Sequence, residues 1–118
     1  MQTSLDSYLG IHAQALTLEA KRNEMLAANL ANVDTPNYKA RDLDFRAALA
    51  AASTTTSDTS IEATSLKYRV PMAPSLDGNT VDEQLEQSAF AENSVRYQAT
   101  LTFLNNALRG LMTAITGS

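Results

Sequence analysis

The stretch FAENSVRYQATLTFLNNALRGLMTAI, residues 90–115, decides the fold. Its apolar side chains recur at alternating steps of four and three residues, the spacing of a heptad seam along one face of a helix. The seam consists of Phe90, Ser94, Tyr97, Leu101, Leu104, Leu108, Leu111 and Ile115, with Ser94 as its polar member. A helix buried in any bundle gives a similar pattern, but the regular spacing favours packing against another helix as a coiled coil.

The predicted C-terminal helix extends beyond the seam: within the segment 80–118 it runs from Thr80 to about Thr116 and ends before Gly117. Thr80 stands three residues before Glu83, the spacing of a capping box, and it follows the turn-forming run 77–79. No proline interrupts the helix, and Gly110 is its weak point. At 1.5 Å per residue, such a helix is roughly 54 Å long, far longer than an average globular helix.

Residues 1–33 predict a second long helix. Its apolar residues fall on two neighbouring tracks, which is typical of an amphipathic helix with a broad buried face. The residues assigned to an assembly surface on this helix are Leu9, Leu16, Leu26 and Leu30. His12 lies on the apolar track, where we expect an interface histidine and not a titrating switch. Glu19 and Arg22 are one turn apart, which predicts an ion pair on a solvated face.

The middle of the chain, residues 34–79, differs in kind from both ends. Pro36 cannot continue a helix, and Asn37 tolerates a left-handed backbone, so the first helix is expected to end just before them. The Ala-rich and Ser/Thr-rich stretch 47–60 has little apolar surface to bury and predicts a flexible insertion. Residues 66–70 alternate apolar and basic side chains, which predicts a short strand whose partner is the extended stretch after Pro36.

Together these patterns predict a mainly α fold with one domain over residues 1–118. The long terminal helices, 1–33 and 80–118, pair as an antiparallel coiled coil. Residues 34–79 form a largely irregular segment that contains at most a short strand or hairpin. Because the helices are joined by a long excursion, part of each apolar stripe is expected to stay uncovered in one subunit.

Composition restricts both the core and the partners. Leu, Ile, Val and Phe number only 25 of 118 residues, whereas Ala alone contributes 19. A self-contained core is hard to build from these residues, so packing against neighbours is the expected source of stability. The net charge of −4 argues against a nucleic-acid partner and against an anionic membrane surface. No stretch has the apolar length of a membrane span, and the N-terminus lacks the pattern of a cleaved signal peptide.

The sequence offers no constellation typical of an enzyme, a metal site or a cofactor site. There is one histidine, no cysteine and no glycine-rich phosphate loop. Asp42 and Asp44 are two residues apart and could flank a site. The run 41–46 reads better as alternating surface charge around buried Leu43 and Phe45. We therefore expect no catalytic residue, no bound metal and no cofactor.

Residues 28–38, ANLANVDTPNY, resemble the motif shared by the flagella basal body rod protein family of rod and hook proteins. The continuation 39–45 resembles the proximal rod members, as do the blocks 77–82 and 91–99. These blocks cover about half of the chain, in the expected order. The turn residues that carry the resemblance are Asn29, Asn32, Thr35, Pro36, Asn37 and Tyr38. Asn37 replaces the usual glycine of the motif, and the turn is expected to be kept.

The resemblance implies a structural subunit that assembles helically in the proximal rod. Expected partners are copies of itself, other rod proteins, the MS-ring protein FliF, the adaptor FliE and the flagellar type III export apparatus. Family members are exported to the periplasmic rod without signal cleavage. Two alternatives stay open: another proximal rod subunit of the FlgC-like type, and a soluble helical regulatory or chaperone-like binding module.

Overall fold

The computed structural model describes residues 4–54, 66–68 and 75–117, and this part is mainly helical. The elements in chain order are α1 (Ser4–Ala31), β1 (Arg41–Leu43), α2 (Phe45–Thr54), β2 (Leu66–Tyr68) and α3 (Glu83–Thr116). The predicted mainly α class, with long helices at both ends, is confirmed. The described residues that were assigned to an irregular middle segment contain one further helix and two short strands.

The terminal helices α1 and α3 lie side by side and run in opposite directions. As residue numbers rise along α3, the residues that it contacts on α1 move from the end of α1 towards its beginning. Three contacts mark this course: Asn29 with Glu86, Glu19 with Thr100, and His12 with Phe103. The helices therefore pack together as expected, whereas the regular interlocking of a coiled coil stays a prediction.

Helix α3 begins two residues later than its capping box indicated. Asp82 is the N-cap, and its carboxylate accepts a hydrogen bond from the backbone N–H of Leu85. The Thr80 hydroxyl instead accepts from the backbone N–H of Ala40 at 2.7 Å. This hydrogen bond joins the loop before α3 to the loop before β1. At the other end Gly117 adopts a left-handed φ of 73° and caps Thr113, which ends the helix where the sequence predicted.

Helix α2 corrects the prediction of a flexible insertion from residue 47 onward. Residues 47–54 belong to this helix, and residues 55–65 lie outside the described part of the chain. Alanine has the highest helix propensity, and Asp44 accepts from the Ala47 N–H at the first turn. Small side chains at Ala48 and Ala52 let α2 approach Leu18 of α1 and Leu43 of β1, which together form the buried apolar cluster.

The two strands form an antiparallel pair in which Arg41 lies opposite Tyr68 and Leu43 opposite Leu66. This is the partner that the sequence indicated for the strand, the extended stretch after Pro36. Arg69 and Val70, the rest of the expected strand, lie outside the described residues.

Two residues with left-handed backbones face each other where α1 gives way to the loop. Asn37 has a φ of 62°, as the sequence predicted, and Gly78 has a φ of 76°. The Asn37 N–H donates to the Asp77 carbonyl at 2.9 Å, which holds the two turns together. The left-handed φ of Gly78 favours glycine, and a Cβ built there would lie 2.5 Å from the Asn37 side-chain oxygen, which would have to shift.

We expect Gly78→Ala to destabilise the subunit by about 1–2 kcal/mol, because it forces a left-handed alanine against Asn37. Gly110→Ala is the matched control, since nothing lies within 4 Å of a Cβ built there. In the middle of α3 that change should stabilise the helix by about 0.5–1 kcal/mol. Circular dichroism during urea unfolding measures both, and an equal effect of the two substitutions would contradict the assigned turn.

Candidate functional site

The turn motif of residues 29–38 divides into one buried residue and several exposed ones. Asn29 is fully buried, and it lies in the last turns of α1 where that helix meets α3. Thr35, Pro36 and Asn37 are exposed, and Tyr38 is half-buried. The motif therefore has an inner part that fixes the subunit and an outer part that is available at its surface.

Asn29 joins three elements through its side-chain amide. Its Nδ2 donates to the Arg41 carbonyl at 2.7 Å and to Glu86 Oε2 at 3.0 Å. Its Oδ1 accepts from the Arg41 N–H at 3.1 Å and from the Tyr38 hydroxyl at 3.4 Å. Glu86 is also fully buried. The pattern of partners uses both donors and both lone pairs of one amide, so only asparagine or an isosteric amide satisfies it.

Asn32 makes local contacts, unlike Asn29. Its Nδ2 donates to the Ala28 carbonyl at 2.8 Å, and its Oδ1 accepts from the Thr35 hydroxyl at 3.0 Å. The Ala28 carbonyl also accepts from the backbone N–H of Asn32 at 3.2 Å, so the Asn32 side chain reinforces the last turn of α1. Asn29 connects α1 to other elements instead.

Asn79 closes the end of α1 from a distant part of the chain. Its Nδ2 lies 2.9, 3.0 and 2.7 Å from the carbonyl oxygens of Asn32, Val33 and Thr35. Its Oδ1 accepts from the Val81 N–H at 2.7 Å. Sequence reasoning took Asn79 for a turn residue only. A single asparagine beside glycine gives no signal that its side chain caps a helix more than forty residues away.

A second polar layer lies farther along the helix pair. Asn93 is almost fully buried, and its Nδ2 donates to the Glu19 carbonyl at 2.7 Å and to Asn23 Oδ1 at 2.9 Å. The Thr100 hydroxyl donates to Glu19 Oε1 at 3.1 Å. Burial raises the pKa of Glu19, and the hydrogen bond from Thr100 and the charge of Arg96 partly oppose that rise.

The prediction of a surface ion pair between Glu19 and Arg22 is therefore wrong. Glu19 is only 6% exposed and faces α3. Arg22 instead binds Asp42 of β1 with two hydrogen bonds, from Nε at 2.9 Å and from Nη2 at 3.2 Å. The Asp42 carboxylate in turn raises the pKa of Arg22. The acidic residues of the run 41–46 thus have structural roles. Of the two apolar residues expected to be buried beside them, Leu43 is buried and Phe45 is only half-buried.

The predicted seam residues differ in how far the subunit covers them. On α1, Leu26 is buried and Leu9, Leu16 and Leu30 are half-buried. On α3, Tyr97, Leu101, Leu104 and Leu111 are half-buried. The α3 seam residues that stay exposed are Phe90 at 36%, Leu108 at 42% and Ile115 at 76%. Contacts with a neighbouring subunit at these positions stay a prediction.

Helix α3 meets α1 through a row of polar residues in addition to members of the predicted seam. The row consists of Glu86, Asn93 and Thr100, with steps of seven, and it contacts α1. The seam residue Ser94 also contacts α1, because its hydroxyl accepts from Asn23 Nδ2 at 3.3 Å. The spacing of apolar residues gives no signal for a polar row of this kind.

Beyond the polar layers, the helices meet through an aromatic cluster. The His12 ring lies 4.9 Å from Tyr8 and 4.7 Å from Phe103, measured between ring centroids. His12 is half-buried, as expected for a histidine on the contact face of α1.

The described residues contain a shallow cavity but no grouped metal ligands. The cavity has a volume of about 180 Å³ and is lined by Lys21, Glu24, Met25, Ala28, Asn29, Tyr38 and Arg41. Among residues 4–54, 66–68 and 75–117 there is no cluster of three or more His, Cys, Asp or Glu side chains. None of the helices in this part is both long and apolar enough to cross a membrane.

We expect Asn29→Ala to destabilise the subunit by about 2–4 kcal/mol, because it removes a buried partner from Glu86 and from both backbone groups of Arg41. Asn32→Ala, a control in the same motif, loses only local contacts near the surface and should cost at most about 1 kcal/mol. Chemical unfolding followed by circular dichroism measures the difference. Equal losses would show that Asn29 does not link the elements.

Comparison with known proteins identifies the family of this chain. Residues 9–39 match the model of the family described as flagella basal body rod protein. The flagellar basal body rod protein FlgB of Cereibacter sphaeroides is 48% identical over 98% of this chain and 98% of its own length. FlgB of Salmonella typhimurium is 44% identical over 99% of both chains. FlgB of Escherichia coli is 42% identical over 98% of this chain and 97% of its own length. The matched residues 9–39 contain most of α1 and the whole turn motif, and the chain belongs to the flagella basal body rod protein family.

Proposed function

We propose that this chain is a structural subunit of the proximal rod of the bacterial flagellar basal body, where it assembles helically and links the MS ring to the rest of the rod. The observation that carries the proposal is the full-length similarity to FlgB proteins. These relatives are rod proteins, which have a structural and not an enzymatic role, and their name favours this position over a FlgC-like one.

The physical side of the proposal is an apolar surface that one subunit leaves open. Along α3 the exposed large apolar residues include Phe90, Leu108, Met112 and Ile115. Exposed apolar surface of this kind is typical of protein interfaces. In the proposed rod, this surface packs against helices of neighbouring subunits, and the expected partners are copies of this chain and other rod proteins.

The remaining partners follow from the family and complete the proposal. At the base of the rod the chain contacts the MS-ring protein FliF and the adaptor FliE. It reaches the periplasmic space through the flagellar type III export apparatus, without cleavage of a signal peptide. The exposed part of the turn motif, Thr35 to Asn37, and the half-buried Tyr38 beside it are then available for contact with a neighbour.

Cysteine crosslinking in intact basal bodies tests these contacts directly. The chain has no cysteine, so Phe90→Cys or Leu111→Cys introduces one reactive thiol in this subunit. We expect each to crosslink to another rod protein or to a second copy, and mass spectrometry names that partner. Leu26→Cys is the control, because Leu26 is fully buried within the subunit and should not react. Basal bodies in which Phe90→Cys and Leu111→Cys react no better than the control would contradict the proposal.

A buried charge in the seam should block assembly. We expect Leu104→Asp and Ile115→Asp to abolish motility while the protein is still expressed, because each places a carboxylate in an apolar contact. Ile115 is 76% exposed in the single subunit, so its substitution leaves the subunit fold intact. Thr113→Asp is the control at an exposed position on another face of α3. Swimming in soft agar measures the effect, and normal motility of Ile115→Asp would refute the seam.

A further inference from the structure

Glu19 is a buried acidic group whose hydrogen-bonding capacity is only partly used by the contacts of the helix pair. It lies in the middle of α1 with 6% exposure, against α3. Its Oε1 accepts from the Thr100 hydroxyl at 3.1 Å. Its Oε2 is buried, and no donor in the described part of the chain lies within hydrogen-bonding distance of it.

The charged groups around Glu19 leave that oxygen without a direct counter-charge. On α3 the nearest cation is Arg96, whose Nη2 is bound to Glu92 at 2.8 Å on the exposed side of the helix. On α1, Arg22 is bound to Asp42 of β1. Arg46 of α2 is exposed, and Lys67 of β2 is paired with Asp44. Asn23 and Asn93, which lie beside Glu19, are bound to each other.

A buried carboxylate oxygen without a donor favours the protonated form of the group, because the neutral acid costs far less to bury than the anion. We propose that Glu19 is a proton-binding latch between α1 and α3: the helix pair closes more tightly when Glu19 takes up a proton and loosens when the group ionises.

The direction of the pH dependence follows from the linkage between proton binding and folding. The folded chain raises the pKa of Glu19 above its ordinary value of 4.5, so the folded state binds the proton more strongly than the unfolded chain. The contribution to stability is fully present below that ordinary value, and it is lost as the pH rises through the raised pKa. Over that interval the folded-to-unfolded ratio changes by up to about tenfold per pH unit, the limit for one proton.

The test compares the full chain with Glu19→Gln, which keeps the shape and an acceptor for Thr100 but carries no charge. Unfolding is followed by circular dichroism between about pH 4 and about pH 8. We expect wild type and variant to be similar in acid, and wild type to become progressively less stable than the variant as the pH rises. Glu24→Gln is the control, because Glu24 is exposed on the same helix and should give no such divergence.

A direct titration of Glu19 tests the proposal even if the Glu19→Gln variant folds differently. Carbon-13 nuclear magnetic resonance of the Glu19 carboxyl in the full chain should report a pKa above 4.5. Thr100→Val, which removes the donor to Oε1, should raise it further, and so should Arg96→Gln. A Glu19 pKa at or below 4.5, or a difference between wild type and Glu19→Gln that does not change with pH, would overturn the latch.

Discussion

The fold depends on one hydrogen bond inside the helix pair, from Asn29 Nδ2 to Glu86 Oε2 at 3.0 Å. Both side chains are fully buried. Leaving a buried polar group without a partner costs more free energy than one hydrogen bond contributes to stability. Sliding α1 along α3 by one turn would separate the two groups and leave both unsatisfied. The bond therefore specifies the register of two helices whose apolar residues alone would accept several alignments.

The positions of the elements around this hydrogen bond follow from the register of the two helices. Arg41 shares the amide of Asn29, so β1 is held against the last turns of α1. With β1 in place, α2 packs its alanines on Leu43, and β2 has an edge to pair with. The start of α3 likewise brings Asn79 to the carbonyl groups at the end of α1. The described parts of the connection between the long helices, residues 32–54, 66–68 and 75–82, are thus held around the same junction.

Buried polar groups are concentrated in one half of α3, whereas exposed apolar residues occur along the whole helix. The buried amide and carboxylate side chains lie in the half that contains Glu86 and Asn93, where they fix one geometry. Large apolar side chains stay exposed in both halves, from Leu85 to Ile115. Polar contacts specify structure at some cost in stability, whereas apolar contacts contribute stability with little specificity. A subunit of this kind has a fixed geometry within itself and an apolar surface along α3, which suits a rod protein.

By itself, the sequence determined what depends on local periodicity and backbone preference. The two long helices, the turn at Pro36, the left-handed Asn37 and the end of α3 at Gly117 all follow from spacing or from backbone strain in a few neighbouring residues. Tertiary structure decided the contact face of α3, the burial of Glu19, the cap supplied by Asn79, and the partner of Arg22. These features pair residues twenty to eighty positions apart, and a polar side chain looks the same in sequence whether water or a distant amide satisfies it. Helix α2 lies between the two cases, because alanine has a strong helix propensity but little apolar surface, and only the close approach to Leu18 and Leu43 fixes it in place.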